Sequence, residues 1–241
     1  MGVDIYIRNW RDVQPKIAHL SAVHWGGLRP ARGGDPDDNR DRLERLGGFA
    51  RHALQGRKTS DHHKHENLEQ VYYVLSGRGE VSLDGHRYPI RDGDALYLPS
   101  GIPHQMFNDG NDWLEHHVIS QPVESNGGTF AICNWRQVAG QGDGAGAVCW
   151  QQLRSEESGG PLRGMAGIAR ESVQPGNSMG RRCEDELEQV YYGLKGEARL
   201  LVEGSEMAIR EGDMIHLPPG IDYGIRNFSE TEWASFLVMS A

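Results

Sequence analysis

The chain is a tandem repeat, and this limits its fold more than any other feature. Slid upon itself, the sequence aligns IRNW at 7–10 with ICNW at 132–135, AVHW at 22–25 with AVCW at 147–150, and LEQVYY at 68–73 with LEQVYY at 187–192. Further on, IRDGD at 90–94 meets IREGD at 209–213, and LPSGI at 98–102 meets LPPGI at 217–221. The matches keep their order, as duplication of one folding unit requires. The 241 residues suffice for two small domains. Between the matches, short apolar–polar alternations end at Gly, Pro or Asp-Gly, as in GEVSLDGHRYPIRDGDALYLPSG at 79–101. Helical periodicity is scarce. Each half is therefore expected to be all-β, a small antiparallel barrel or sandwich.

The join falls near SQPVESNGG, residues 120–128, which gives domains 1–123 and 124–241. The first half carries an insertion, RPARGGDPDDNRDRLERL at 29–46, against the shorter RSEESGGPL at 154–162. Its Gly, Pro and Asp content predicts a surface loop, with DRLERL closing it as a helical turn.

Charge and composition exclude several classes of partner. The formal net charge is −9 and no basic run exceeds a residue pair, so a phosphate-binding face for nucleic acid is not expected. No stretch reaches the roughly 20 apolar residues of a membrane helix. The N-terminus lacks the apolar core of a signal peptide, and three cysteines at long spacings read as reduced thiols, so a cytoplasmic protein is expected. A small molecule remains as the partner.

The histidines are lopsided: of 11, ten precede residue 118 and only His216 lies in the second half. Two copies of one scaffold with imidazoles in one copy imply one site. In DHHKHENLEQVYYVLSG, residues 61–77, His63 and His65 are two apart and share a face of an extended segment, whereas His62 points away. A further ligand must come from a distant segment. His104, in LPSGIPHQMFN, follows a Pro-Gly turn that delivers it onto the next strand.

These residues resemble the two motifs of the cupin family. The first reads His63-Lys64-His65, then Gln70 and Gly77, with Gly56 one residue further upstream than usual. The second reads Gly93, Pro99, Gly101, His104 and Asn108, matching at every position. The resemblance covers both halves and implies tandem double-stranded β-helix (jelly-roll) barrels. It also implies one divalent transition metal (Fe, Mn, Ni, Co, Zn or Cu) on His63, His65, Gln70 and His104. The family usually has Glu where this chain has Gln70. Glu69 is adjacent and is the alternative ligand. Because the pair recurs as Glu188-Gln189 in the half without the His-x-His motif, it also fits a scaffold role in strand pairing. Such barrels often dimerise through edge strands, so a homodimer is a further expectation.

In the second half the ligand positions become Arg182, Glu184, Gln189 and Tyr223. A guanidinium repels a cation, so no metal is expected there; an Arg182–Glu184 ion pair would fill the vacated space, and the alternative is that Arg182 holds a ligand carboxylate in bidentate fashion. In the first half the candidates for proton transfer are Tyr72, His52 and His117. Tyr72 shares the inward parity of Gln70. His52 lies on a predicted strand, and one of His116 and His117 must face the interior. With Gln70 as a neutral fourth ligand, the chemistry expected is redox-neutral isomerase- or lyase-type work on a small oxygen-rich molecule. An O2-dependent dioxygenase and a non-catalytic binding or sensor protein are the alternatives.

Overall fold

The computed structural model describes residues 5–31 and 40–241. The chain is all-β. Its only helical elements among the described residues are three single turns of 3-10 type, and no helix is long and apolar enough to cross a membrane. In the first half, strands Ala22–Pro30, Gly48–Leu54, Leu68–Ser76, Asp94–Leu98 and Leu114–Pro122 pair antiparallel in one large sheet. A small sheet of Lys58–Thr59, Arg78–Leu83, His86–Arg91 and His104–Asn108 closes over it. The second half repeats the plan with Ala147–Arg154, Gly167–Val173, Gln189–Lys195, Asp213–Leu217 and Ala234–Ser240 against Arg182–Cys183, Glu197–Val202, Ser205–Arg210 and Asp222–Arg226. Asp84-Gly85 and Glu203-Gly204 make the tight hairpins of the small sheets. Both residues of each pair have positive φ, as a two-residue turn matched to strand twist demands.

Burial forms three apolar clusters. Tyr72, Val74, Val81, Leu83, Leu96 and Met106 fill the first barrel, and Tyr191, Leu200, Ile215, Tyr223 and Phe236 fill the second. The third cluster lies between the barrels and mixes Val71, Tyr73 and Ile119 with Val190, Tyr192, Leu237 and Met239. The repeated LEQVYY strand is thus buried on both faces. Gln70, Tyr72 and Val74 point into the barrel, while Glu69, Val71 and Tyr73 point at the other one.

The sheets do not follow the boundary at 123/124. The leading strand of each half crosses over: Tyr6–Asn9 pairs with Asp213–Leu217, and Ala131–Asn134 pairs with Asp94–Leu98. The Asn9 side-chain amide donates to the Asp213 carboxylate at 2.7 Å, and Asn134 donates to Asp94 at 2.7 Å. The matched segments IRNW/ICNW and IRDGD/IREGD are therefore partners of each other across the halves. Gly93 shows why the glycine recurs: its φ is +83°, and a Cβ there would lie 2.6 Å from the Trp135 ring.

A second reciprocal contact involves the buried glutamates. The Glu69 carboxylate accepts the backbone N–H groups of Arg163, Gly164 and Met165 at 2.8–2.9 Å. The Glu188 carboxylate accepts those of Glu44, Arg45 and Leu46 at 2.7–2.9 Å, and the His216 ring as well. This explains a departure from the expected helical turn at DRLERL. Asp41–Leu43 is instead a short strand parallel to Ala22–Pro30, and the following N–H groups are spent on Glu188 rather than on helix bonds. Positions 32–39 of that insertion lie outside the described residues.

Candidate metal centre

Residues 61–65 form an extended arm rather than a regular strand, and backbone pairing places it. His63 N–H donates to the His104 carbonyl at 3.1 Å, and His104 N–H returns a bond to His63 at 2.8 Å. Gly101 N–H holds the His65 carbonyl at 2.7 Å. The turn before His104 and the His-x-His arm are thus tied together, and one ligand atom from each of His63, His65 and His104 falls within 4.8 Å of the others. The rings are also aimed. His63 Nδ1 lies 3.2 Å from the Asp61 carbonyl and His104 Nδ1 lies 3.1 Å from the Ile102 carbonyl. A carbonyl only accepts, so each Nδ1 carries the proton and each Nε2 keeps its lone pair. His63 Nε2 is buried with no hydrogen-bond partner, as a nitrogen reserved for a cation would be.

Burial, countered by the Ile102 bond and aided by the neighbouring imidazoles, brings the His104 pKa down to about 4, and burial also lowers that of His65. Both are neutral, and so competent as ligands, at neutral pH. These residues fit a divalent metal ion. Gln70 lines the same cavity, and its Oε1 lies 3.4 Å from the Tyr72 hydroxyl, which is also 3.4 Å from His104 Nε2. Glu69 sits on the opposite face of that strand with both carboxylate oxygens occupied, which removes it from the ligand position.

Two of the three proton-transfer candidates border this cavity. Tyr72 is fully buried, and desolvation raises its pKa, so it is a neutral O–H donor. His52 Nε2 lies 2.6 Å from His24 Nδ1, and its ring is 5.4 Å from that of His116. His117 is misplaced by the sequence expectation. Its ring packs 4.6 Å from Phe49 and 4.1 Å from Tyr192, in the cluster between the barrels, and its Nδ1 bonds the Ala50 carbonyl. His116 is the inward member, 5.1 Å from the Tyr72 ring. Adjacent strand residues point to opposite faces, and a register shift at Glu115/His116 fixes which one enters. His19 and His24 complete the wall and were passed over in the sequence. The repeat offered the signal: across the halves His19, His24, His52 and His116 become Gly144, Cys149, Glu171 and Phe236.

Burial also pushes the His116 pKa down to about 3 and, with the charges of Lys16, His19 and Arg40, that of His24 to about 4. The folded-state values lie below the unfolded value near 6.5, so the unfolded chain binds protons first as pH falls. Their contribution is intact above pH 6.5 and is lost progressively below it. The metal-free protein should lose about 2 kcal/mol at pH 5 from His116 alone. Urea unfolding at pH 7 and pH 5 checks this. Equal stability would show that His116 is not held neutral.

The second barrel replaces the imidazoles with a closed hydrogen-bond network. Arg182 pairs with Tyr223 in the register that His63 and His104 use in the first barrel. Its guanidinium meets Glu171 at 2.5 Å, not the expected Glu184. Glu171 stands at the His52 position, facing inward and buried, where a carboxylate requires a cation. The chain of bonds continues from Glu171 to Tyr191 at 3.0 Å, Tyr223 at 2.9 Å and Gln189 at 2.7 Å. Metal analysis should accordingly give one ion per chain. A value near two would contradict an empty second barrel.

Two jelly-roll barrels, one lined by an aimed imidazole triad and the other with its ligand positions tied into a hydrogen-bond network, define a two-barrel cupin. The cupin domain profile matches residues 51–119 and 169–240, more than half of the chain, and the chain belongs to this family. It is 39% identical over 64 residues to the uncharacterized protein MJ1618 of Methanocaldococcus jannaschii, a match covering 27% of this chain and 51% of that one. It is 39% identical over 71 residues to the oxalate-binding protein of Thermotoga maritima, covering 30% and 59%. The chain thus spans between half and three fifths of the length of these two curated relatives. Its fold superposes on Bacillus subtilis oxalate decarboxylase, a protein with Mn(II) centres, with TM-score 0.73 at 13% identity, covering 97% of this chain and 76% of that one.

Proposed function

We propose that the chain is a metal-dependent enzyme performing redox-neutral isomerase- or lyase-type chemistry on a small oxygen-rich organic molecule. The observation that carries this reading is the engagement of Glu69 by three backbone N–H groups, which leaves a donor set of three imidazoles and an amide. Such a set carries no negative charge, so a bound divalent ion keeps its full charge to polarise substrate oxygens. The chain's own groups support proton movement beside it. The Tyr72 hydroxyl stays protonated and can donate to a substrate oxygen as charge develops there. His52 stays neutral because burial, then His116, disfavours its charged form, so beside His24 it offers the substrate a neutral hydrogen-bonding wall rather than a strong base. The cavity wall formed by Phe49, Ala50 and Val118 excludes water from one side of the substrate.

The test is turnover by Mn(II)-, Fe(II)-, Ni(II)- and Zn(II)-loaded protein on a panel of enols and hydroxy acids, with dissolved O2 recorded. Anaerobic substrate loss is expected. Substrate loss coupled to O2 uptake would replace this reading with a dioxygenase, and binding without turnover would replace it with a ligand-binding cupin.

A further inference from the structure

The cavity is about 940 Å³, at the upper end of the range for small-molecule sites, and extends well beyond the imidazole triad. Part of its rim comes from the N-terminal segment. Arg8 lies on the strand that crosses to the other barrel, Lys16 on the edge strand Lys16–Ala18, and Arg40 beside the Gly26 carbonyl to which it donates. Among the described residues lining the cavity there is no Asp or Glu, although the chain carries a net −9. The second barrel serves as an internal control. There Arg8 becomes Cys133, Lys16 becomes Gln141, and Arg40 falls in the insertion that the second half lacks. These three cations accompany only the barrel with the triad, whereas a fourth lining cation, Arg29, is paired with Asp41 and has its counterpart in Arg154 of the second barrel. Lys16 and Arg40 lie close enough to His24 for their charges to depress its protonation. Arg8 spends one amino group on the Asp12 carbonyl at 3.0 Å, and a guanidinium has further N–H donors to offer.

We infer that the substrate is an organic acid with two anionic ends, one reaching the imidazole triad and the other, a carboxylate or a phosphate, held at the rim by Arg8 and Lys16. This rests on the reading of the triad as a metal centre. A guanidinium grips such a group in bidentate fashion and an ammonium acts as a point charge, so the pair accepts either anion. The cations also raise the local concentration of dianions, an effect that salt weakens.

The experiment is calorimetric titration of the Mn(II)-loaded chain with glutarate against butyrate and with phosphoglycolate against glycolate. Each two-ended acid is expected to bind at least tenfold more tightly than its one-ended counterpart, and the pair with the larger ratio identifies the distal group. Lys16→Gln, at an exposed edge position, should reduce the preference severalfold, and Arg8→Gln with Lys16→Gln should abolish it, both at unchanged metal content. Equal binding of one-ended and two-ended acids, or a preference that survives the double substitution in a folded protein, would overturn the inference. Metal content is measured separately. A chain that takes up no Mn(II) yet keeps a Lys16-dependent preference for two-ended acids would defeat the metal reading and leave the rim assignment standing.

Discussion

His104→Ala should leave the protein folded and nearly free of metal after dialysis. The backbone bonds between residues 63 and 104 do not use the imidazole, so the arm stays in place and only one of three converging nitrogens is lost. Altering a residue that merely orients a ligand typically costs 10- to 100-fold in affinity, so deletion of a ligand should cost at least about 100-fold. Elemental analysis of the dialysed protein reads this directly, with circular dichroism as the check on folding. Unchanged stoichiometry would remove His104 from the site. His117→Ala is the control. Its ring lies between the barrels, so metal content should hold while stability falls.

Glu69→Ala should produce the larger loss of stability and Gln70→Ala the larger loss of metal affinity, although the two residues are neighbours. Removing the Glu69 carboxylate strands three N–H donors, that of Met165 buried and those of Arg163 and Gly164 partly so, and frees residues 163–165 from the first half. Breaking a charge-assisted contact of this kind around a buried carboxylate costs about 3–5 kcal/mol. For a cooperative unit of this size that is a fall in Tm of about 10 °C. Gln70 faces the cavity, and its truncation leaves the contact between barrels intact. Scanning calorimetry and metal titration of the two variants separate the roles. Metal loss at Glu69→Ala without a fall in Tm would reverse the assignment.

The pairing of these outcomes also marks how far the sequence could be read. Alternation placed Gln70, Tyr72 and Val74 on one face and Glu69 on the other, and the structure agrees. Alternation could not say what lies beyond the outer face, so Glu69 remained open as a ligand until the N–H groups of residues 163–165 were seen to occupy it. The same gap explains His116 and His117. Both parities are allowed by WLEHHVIS, and the choice depends on a bulge set by pairing with Leu68–Ser76. Glu184 was the nearest acid in sequence to Arg182, but the pocket brings Glu171 from another strand instead.

By itself the sequence determined the duplication, the all-β class and the concentration of imidazoles in one barrel, because these follow from residue order, short-range alternation and a comparison of two copies. Only the tertiary structure decided that each half lends its first strand to the other and that Glu69 joins barrels rather than binding metal. It alone also selected His116 for the cavity and set Arg8 from a crossed strand on its rim. Each of these depends on partners roughly a hundred residues or more away, or on the register in which strands meet. Local pattern fixes which residues share a face but not what that face will touch.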